Sequence, residues 1–456
     1  MKMYLNKVIL TIVFIINVTT SFGQSVTDNT EKSKEDSFRK DFSVFRDSLQ
    51  QVHPALYRYR TQKEMNRLFD SCYDSINNNM TDMQFYMLCK FMVRMVDDGH
   101  LLCNLPKETL QKQLATVKVF PLRLWFINDK TYIYCSNDDR FKPGAEIISI
   151  NNKPVNDIRK ILFQYISSDA EIQSRKYVSL NASEASFQFL YYWLYGEKDS
   201  FEIEYKTSGN KTIRTNIAAA VLKGNNCFFD KKPVDKYLSL DFEPNNTALL
   251  TVKTFAMGKL NKEESYFKVY LDSVFRIIKE KKIDQLIIDV RDNGGGEDHN
   301  GSLLYSFLTD KPFSYYSSLS TISGSLPKEI HSNLEIQQPQ INNFKGKCYF
   351  LINGKSFSTT TEFTAIAKSN NRGVFIGEET GGGYYGNTGS EQAIFTLPYS
   401  NIRMIIPKRK YVLAVKKMTY KDRGTIPDYT IVPSINDVLQ DKDVQLNYAL
   451  KLTSRK

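Results

Sequence analysis

The spacing of apolar positions divides the chain into three regions. Apolar side chains recur at helical intervals from about residue 35 to 97, and strand-like alternation dominates from about 116 to 217. From about 236 to the end, short apolar strands alternate with amphipathic helices, and the run Leu286-Ile287-Ile288 is apolar throughout. A strand of that kind is buried on both faces of a sheet. The pattern therefore predicts an α/β layered domain that follows a helical region and a β-rich module.

We place the N-terminal helical region at 24–110, the β-rich module at 115–220 and the α/β domain at 236–456. A chain of 456 residues is too long for one compact domain, so two or three are expected. In the helical region, Thr81 is placed to cap the third helix. In the α/β domain we expect strands at 247–252, 286–290, 348–352 and 374–377, and helices at 262–281, 302–308 and 359–368.

The first 23 residues have the pattern of a signal peptide. Lys2 and Lys7 form a basic start, an apolar run of about a dozen residues follows, and small residues precede Gln24. A membrane anchor is the alternative, but a span needs about 20 apolar residues. No later segment approaches that length. We expect cleavage after Gly23 and an exported, periplasmic or secreted protein with no integral membrane span.

Charge and cysteine content exclude several classes of protein. The formal charge of +11 is scattered along the chain, so nucleic-acid binding is not expected. Six cysteines are too few for a disulfide-built scaffold, although one pair among Cys72, Cys89 and Cys103 is plausible. Histidine and cysteine spacings of the zinc type do not occur. We therefore expect neither a metal nor another cofactor.

Two strand-to-turn units carry the chemistry. The strand 286–290 ends in Gly294-Gly295-Gly296, which bares backbone N–H groups, and the strand 348–352 leads to Ser358 at a predicted helix start. Amides and a serine in this arrangement are the parts of an acyl-transfer site. Thr359 and Glu362 have the spacing of a capping box, so Ser358 could also be a second capping residue.

Ser356 is the nearest rival to Ser358 as a nucleophile. The segment 354–358 reads Gly-x-Ser-x-Ser, so the Gly-x-Ser-x-Gly elbow of α/β-hydrolases is absent.

Part of the β-rich module resembles a PDZ domain. A Pro-Gly turn, a short strand, an Asn turn and a helix follow one another from about 142 to 165, and the PDZ signature matches residues 144–152. An ordinary hairpin is the alternative. The resemblance implies a groove near 120–125 that holds a substrate C-terminus by strand addition.

Four motifs occur in an order that resembles the serine peptidases of the C-terminal processing protease and tricorn-core family. They are Asp289-x-Arg291-x-Asn293-x-Gly295-Gly296, Asn353-Gly354-x-x-Phe357-Ser358, Ile376-Gly377-Glu378-Glu379-Thr380-Gly381-Gly382 and Gly424-Thr425-Ile426-Pro427-Asp428. The resemblance implies a crotonase/ClpP-like catalytic domain with Ser358 as its nucleophile.

The family resemblance also bears on the general base. The processing proteases use a lysine about 25 residues after the serine, and residues 378–384 contain none. The tricorn-like branch uses a histidine before the PDZ-like insertion, and His100 in Asp97-Asp98-Gly99-His100 matches that position. His299 is the alternative base, whereas His53 and His331 lack supporting context.

An acid should orient the imidazole. By resemblance it is Asp422, where the branch carries a Glu; Asp97 and Asp98 are alternatives. The oxyanion hole would use the N–H groups of Thr359 and Gly295, with Gly294 also possible. Each such donor stabilises the transition state by about 3 kcal/mol.

These features predict an exported serine endopeptidase that acts on peptides or unfolded proteins without a cofactor. Two alternatives remain open: a non-catalytic peptide- or ligand-binding protein on the same scaffold, and an esterase that uses the same serine.

Overall fold

The computed structural model describes residues 33–181, 186–223, 225–229, 236–260 and 266–454. The predicted signal peptide, residues 1–23, lies outside the described residues. Within them, no helix has both the length and the apolar character that crossing a membrane requires.

The N-terminal region is helical, as predicted. Thr61 and Thr81 begin the second and third helices with capping boxes, in which each hydroxyl accepts a backbone N–H one turn later. Phenylalanines at helical spacing face one core. The elements are α1 (Lys34–Val52), α2 (Gln62–Asp74), α3 (Asp82–Val96), β1 (Leu102–Asn104) and α4 (Lys107–Thr116).

The β-rich module is an antiparallel sheet in the order β3-β4-β5-β7-β8, with β6 paired to β5. Its elements are β2 (Lys118–Val119), β3 (Arg123–Ile127), β4 (Lys130–Cys135), β5 (Glu146–Ile150), β6 (Lys153–Pro154), α5 (Val155–Leu162), α6 (Gln173–Asn181), α7 (Ser186–Tyr195), β7 (Ser200–Lys206), β8 (Thr212–Ala218), β9 (Ala220–Val221) and α8 (Asn226–Phe229). The helices α6 and α7, which the apolar spacing did not reveal, lie beside β3.

Side chains from α6 and α7 cap the outer edge of β3. The Asn181 side chain accepts the Phe126 N–H at 2.7 Å and donates to the Phe126 carbonyl at 3.0 Å. Gln188 donates to the Leu122 carbonyl at 2.7 Å. The Leu122 carbonyl and both backbone groups of Phe126, at the edge where a PDZ-type ligand would pair, are therefore already hydrogen-bonded within the chain.

The disulfide lies in this module and was not predicted. Cys135 at the end of β4 is bonded to Cys227 in α8, 92 positions later. Cys72, Cys89 and Cys103 are free and buried, so the expected pair among them is wrong. Sequence proximity was the wrong guide because these three side chains pack as small apolar groups in the helical core.

The C-terminal region is an α/β domain, as predicted. Its elements are β10 (Leu238–Glu243), β11 (Thr247–Val252), α9 (Met257–Leu260), α10 (Tyr266–Glu280), β12 (Gln285–Asp289), α11 (Asp298–Ser306), β13 (Phe313–Ser314), β14 (Tyr316–Thr321), β15 (Gly324–Ser325), β16 (Ile336–Gln337), β17 (Lys347–Ile352), α12 (Thr359–Ser369), β18 (Val374–Gly377), β19 (Thr388–Thr396), β20 (Arg403–Leu413), β21 (Tyr429–Thr430), α13 (Ile435–Leu439) and α14 (Val444–Thr453).

The central sheet has the order β10-β11-β12-β17-β18-β21. All of its strand pairs are parallel except β10 with β11. Helices α10, α11 and α12 contribute to the core on one face and α14 to a smaller core on the other. Because β12 and β17 are parallel neighbours, the two turns that follow them meet at one edge of the sheet.

A second sheet joins the helical region to this domain. Strand β1 pairs with β20, which also pairs with β14 and β19. The carboxylate of Asp41 in α1 accepts the backbone N–H groups of Tyr399 and Ser400 at 2.9 and 2.7 Å. These links fix the segment just before β1 against the α/β domain.

Candidate active site

Ser358 lies in a strained turn between β17 and α12. Its backbone has φ +56° and ψ −128°, a region that favours glycine, and it is the N-cap residue of α12. Its hydroxyl makes no capping hydrogen bond. Backbone strain of this kind is concentrated at functional sites, and a nucleophile on a sharp strand-to-helix turn is exposed to substrate.

The predicted capping box at Thr359 and Glu362 is wrong. The Thr359 hydroxyl donates to the Gly296 carbonyl at 2.7 Å. Glu362 instead faces the interior, where it accepts hydrogen bonds from Tyr316 at 2.8 Å and from Asn387 at 2.9 Å. Burial, followed by the nearby Asp298 carboxylate, raises the pKa of Glu362 to about 7. Tertiary partners outweighed the local capping pattern.

Ser356 has a structural role. Its buried hydroxyl donates to the Val290 carbonyl at 2.8 Å and accepts the Asn353 N–H at 3.1 Å. These bonds hold the turn that carries Ser358 against the end of β12. A fully buried and hydrogen-bonded hydroxyl is not available to a substrate, so Ser358 is the better candidate.

The loop Gly294-Gly295-Gly296 after β12, here called the glycine loop, lies directly against Ser358. The Phe357 N–H donates to the Asn293 carbonyl at 3.1 Å, which ties the two turns together. A Cβ atom added to Gly295 would lie 2.8 Å from the Ser358 Cβ and 3.1 Å from the Thr359 nitrogen. Gly295 also has φ +98°. Both the close approach and the backbone conformation require glycine here.

Backbone donors beside Ser358 differ in availability. Within the described residues, the Thr359 N–H donates to no acceptor, which suits an oxyanion-hole donor. The Gly295 N–H, predicted as the second donor, donates to Asn293 Oδ1 at 2.9 Å. The N–H groups of Gly294 and Gly296 have no acceptor in the described structure.

The Gly296 N–H has the more suitable direction of these two. The bridge between Gly296 and Phe255 uses the Gly295 carbonyl and the Glu297 N–H. The groups of Gly296 itself therefore point to the opposite side, where its carbonyl accepts the Thr359 hydroxyl.

His100 lies next to the nucleophile turn. It sits between the end of α3 and β1, and its ring stacks on Phe357 with ring centroids 4.6 Å apart. Pairing of β1 with β20 fixes this position. No hydrogen bond joins His100 to the Ser358 hydroxyl in the described structure. The two groups are brought to neighbouring positions without the contact that proton transfer requires.

Two buried carboxylates face His100. Asp98 Oδ1 lies 3.9 Å from His100 Nδ1 and accepts the His100 backbone N–H at 2.8 Å. The oxygens of Asp169 accept the N–H groups of Gly99 and Gly383, at 2.8 and 3.0 Å. Asp169 was not predicted, because a lone acid 69 positions from His100 carries no local signal.

The environments of these two acids push their pKa values apart. Burial alone would raise the pKa of Asp98, but His53, His100 and the Thr388 hydroxyl together hold it well below its usual range. Burial and the charge of Asp98 raise the pKa of Asp169. Asp98 is therefore the ionised partner of the imidazole. Acid–base sites commonly separate two carboxyl groups in this way.

His53 supports Asp98 from behind. Its Nδ1 accepts the Ala55 N–H at 3.1 Å, and its Nε2 lies 3.0 Å from Asp98 Oδ2, a close electrostatic contact. The Thr388 hydroxyl donates to the same oxygen at 2.5 Å. The Thr388 hydroxyl and the His100 backbone N–H, one on each oxygen, fix the orientation of this buried carboxylate.

The remaining predicted residues lie elsewhere. Asp422 is exposed, and no hydrogen bond or ion pair joins it to His100 within the described residues. His299 is in the first turn of α11, and its buried Nε2 has no hydrogen-bond partner among the described residues. His331 Nε2 lies 3.0 Å from Asp298 Oδ2, next to Tyr316.

Asp98, His100 and Asp169 have the spacing of metal ligands. One ligand atom from each lies within 4.8 Å of the others. Both oxygens of Asp169 already accept backbone N–H groups, and Asp98 accepts the His100 N–H and the Thr388 hydroxyl and lies 3.0 Å from His53 Nε2. These donors satisfy the carboxylates without an ion, so the residues fit a hydrogen-bonded acid–base site better than a metal centre.

The site and fold were compared with known proteins. Residues 246–431 match the family described as Peptidase family S41. No curated protein sequence is a significant match.

Among solved structures, mature CPAF complexed with lactacystin has a TM-score of 0.63 at 12% identity, over 92% of this chain and 98% of that one. Mature CPAF alone has a TM-score of 0.64 at 12% identity, over 92% and 96%. The photosystem II D1 C-terminal processing protease has a TM-score of 0.43 at 14% identity, over 89% and 97%. The two CPAF similarities show that the fold extends over nearly the whole chain.

Proposed function

Because the chain belongs to peptidase family S41 through residues 246–431 and is a serine-type peptidase, we propose that it is an exported endopeptidase with Ser358 as nucleophile and His100 as general base. The observation that carries this proposal is the turn at Ser358. Its strained backbone presents a hydroxyl that caps nothing, beside the unpaired Thr359 N–H and the glycine loop.

In the proposed mechanism, Ser358 Oγ attacks the substrate carbonyl while His100 takes the hydroxyl proton. The resulting oxyanion is stabilised by the Thr359 N–H and by an N–H of the glycine loop, for which Gly296 has the suitable direction. His100 then gives the proton to the leaving amine. In the second half of the reaction, His100 takes a proton from water, whose oxygen attacks the acyl carbon, and returns the proton to Ser358 Oγ as the bond between Oγ and the acyl carbon breaks.

Asp98 is the orienting acid in this proposal. It is ionised, buried and held by His53 and Thr388, and it faces His100 Nδ1 at 3.9 Å. That gap is longer than a hydrogen bond of about 3 Å, and catalytic hydrogen bonds commonly tighten when substrate binds. The predicted role of Asp422 remains a competing hypothesis, which the variants below decide.

Export is supported by two observations. The first 23 residues have a signal-peptide pattern, and Cys135 and Cys227 form a disulfide, as expected in an oxidising compartment. Fractionation of producing cells, with mass measurement of the mature N-terminus, tests this part of the proposal. An uncleaved protein in the cytosolic fraction would contradict it.

A fluorophosphonate probe tests the nucleophile. We expect the wild-type protein to be labelled and Ser358→Ala to remain unlabelled, while Ser356→Ala is labelled but melts at a lower temperature. Equal labelling of wild type and Ser358→Ala would sink the assignment and favour a non-catalytic binding protein. Parallel panels of peptide and ester substrates then separate peptidase from esterase activity.

The activities of variants at the two histidines and the two acids test which residues act as general base and orienting acid. Loss of a general base lowers kcat by about 10²–10⁴-fold. We expect losses of this order for His100→Ala and near wild-type activity for His299→Ala. Asp98→Asn should lose far more activity than Asp422→Asn, and the reverse result would restore Asp422 as the orienting acid.

A further inference from the structure

A cavity of about 440 Å³ lies between the β-rich module and the α/β domain and takes no part in the mechanism above. On the α/β side, four lining residues come just after the parallel strands β11, β12, β17 and β18: Lys253, Asp292, Asn353 and Glu378. Ligands of open α/β sheets bind in crevices at the carboxyl ends of parallel strands. The cavity therefore has the position of a binding site.

Helix α6 forms the wall on the module side. Four of its side chains recur at helical spacing and line the cavity: Ser174, Tyr177, Val178 and Asn181. The guanidinium of Arg175, on another face of the helix, lies 4.3 Å from the centroid of the Phe357 ring, on which His100 stacks. The described lining includes neither Ser358 nor His100. The cavity is therefore separate from the proposed catalytic residues.

The basic side chains of the cavity wall are already paired with acids. Each lysine or arginine in the described lining lies 2.7 to 3.3 Å from a carboxylate: Lys253 from Asp289, Lys355 from Asp292, and Arg291 from Asp443 and Asp289. Burial alone would raise the pKa of each of these acids, but the cations hold it below its usual range. These acids are therefore ionised, and they balance the positive charges of the wall.

Glu378 is the exception among the lining acids. Its side chain forms no hydrogen bond and no ion pair within the part of the chain that the structure describes. Burial, followed by the like charge of Asp292, raises the pKa of Glu378 to about 7. A carboxyl group that is mostly removed from water must either take up a proton or gain a counter-charge.

The rest of the lining suits the apolar body of a small ligand. It includes the aromatic and aliphatic side chains of Trp125, Ile127, Val178, Val432, Pro433 and Val438. The faces of aromatic rings attract cations. Small-molecule sites have volumes of about 300–1,000 Å³, so this cavity has room for such a ligand.

We propose that this cavity binds an organic cation, a primary ammonium or guanidinium group on an apolar body, with Glu378 as its counter-charge. One carboxyl remains after every lining lysine and arginine has its acid, so a ligand with one positive charge completes the pairing. The cation belongs to a free amine or to a basic side chain of a peptide. Both have the same chemistry, and the experiment separates them.

Binding is measured by calorimetry with the Ser358→Ala protein, which cannot turn over a peptide probe. The free amine is 4-phenylbutylamine, and its uncharged counterpart is 4-phenylbutanol. The peptides are acetyl-Ala-Ala-Lys-Ala-Ala amide and the same peptide with norleucine in place of lysine. We expect a cation to bind about tenfold or more tightly than its uncharged counterpart, as one charge-assisted contact provides.

Variants locate the preference. Glu378→Gln keeps the shape of the side chain without its charge, so the ratio of cation to counterpart affinity should fall close to one. Val438→Phe fills part of the cavity and should weaken both members of a pair alike. Glu280→Gln, exposed on α10 and outside the cavity, is the matched control and should leave both affinities unchanged. Melting temperatures show that each variant is folded.

Proton release provides a second readout. Because the pKa of Glu378 is about 7, about half of these carboxyl groups carry a proton at pH 7. A bound cation favours the ionised form, so binding should release about half a proton. Calorimetric enthalpies in phosphate and in Tris, which differ in ionisation enthalpy, measure this release. The uncharged counterparts should release none, and Glu378→Gln should abolish the release.

Each outcome has one meaning. A charge preference within the amine and alcohol pair assigns a free amine, and a preference within the peptide pair alone assigns a basic side chain. Equal affinities within both pairs, no binding of either cation, or a preference that survives in Glu378→Gln would overturn the proposal. If the wild-type protein resists the fluorophosphonate probe while the cation preference persists, the proposed function fails and this inference stands.

Discussion

The outer edges of strands β3 and β1 differ in how their backbone groups are hydrogen-bonded. At β3, Asn181 and Gln188 satisfy the outward backbone groups of Phe126 and Leu122 with amide side chains from the same chain. At β1, the outer edge lines a cavity beside His100, and the Cys103 carbonyl accepts one hydrogen bond of 3.4 Å from the Tyr86 hydroxyl. A resemblance to a peptide-binding module thus pointed to one edge, while the edge with the weaker side-chain hydrogen bond lies in another part of the fold.

The difference shows that availability of backbone groups decides where a strand can be added. A sheet edge binds a peptide only where its N–H and C=O groups lack partners. Helices α6 and α7 remove that condition from β3, whereas at β1 a helix supplies one long bond, from Tyr86 of α3 to the Cys103 carbonyl at 3.4 Å. Four measurements can break or sharpen this contrast.

The largest expected effect is on the stability of the β3 side. Strand β4, the partner of β3, ends at Cys135, whose disulfide with Cys227 closes a loop of 92 positions. Loss of such a bond costs about 2–4 kcal/mol of unfolding free energy. The double variant Cys135→Ser and Cys227→Ser should show this loss in urea titrations. Cys103→Ser on β1 is the control for the other edge, and a larger loss there would reverse the contrast.

Next in size is an effect on the junction between β1 and the site. A Cβ at Gly99 would lie 2.8 Å from the Phe357 ring, which His100 and Arg175 already hold. We expect Gly99→Ala to reduce kcat/KM by about 10²-fold, because small displacements of catalytic groups have effects of that order. Gly258→Ala, which meets nothing within 4 Å, should leave it unchanged. Full activity of Gly99→Ala would show that Phe357 does not position the base.

A smaller effect is expected when the cap of β3 is removed. Asn181→Ala leaves the buried N–H and C=O of Phe126 without partners, at a cost of about 1–3 kcal/mol in unfolding free energy. Gln173→Ala, exposed on the same helix, is the control. If Asn181→Ala also gains affinity for extended peptides, the Asn181 side chain alone prevents a peptide from pairing with β3. An unchanged unfolding free energy would mean that the cap contributes nothing.

The smallest effect is a difference in pH response. The caps of β3 are amides, which do not titrate, whereas the pKa of Glu362 beneath the nucleophile helix is raised from 4.5 to about 7. Between these values the folded state binds more protons than the unfolded state, so this group makes stability fall as pH rises. Glu362→Gln should weaken the fall in unfolding free energy from pH 5 to pH 8.

Glu280→Gln, at an exposed position, should not alter that pH slope. The same slope in wild type and Glu362→Gln would show that another group is responsible.

Local patterns predicted the scaffold of the site well. The strands 247–252 and 374–377 have the bounds expected from their apolar runs, and β12, β17 and α12 differ by a residue or two. Parallel pairing of β12 and β17 then brings the glycine loop to Ser358. This part was predictable because each element carries its own periodicity and each turn its own glycines.

Long-range partners were not predictable. Asp169 reaches the site through the N–H groups of Gly99 and Gly383, and His53 supports Asp98 across the helical region. Glu362 has the spacing of a capping residue, yet it binds Tyr316 and Asn387 instead. Such contacts depend on how separate elements pack, and no local spacing encodes them.

Under the proposed function, the left-handed backbone at Ser358 places folding and catalysis in opposition at one position. Glycine would adopt φ +56° without strain, whereas any other residue destabilises the native chain there by about 1–3 kcal/mol. Selection for thermodynamic stability alone would therefore remove the hydroxyl. A serine in that conformation lowers the stability of the fold, and the proposed activity would be the function that it serves in return.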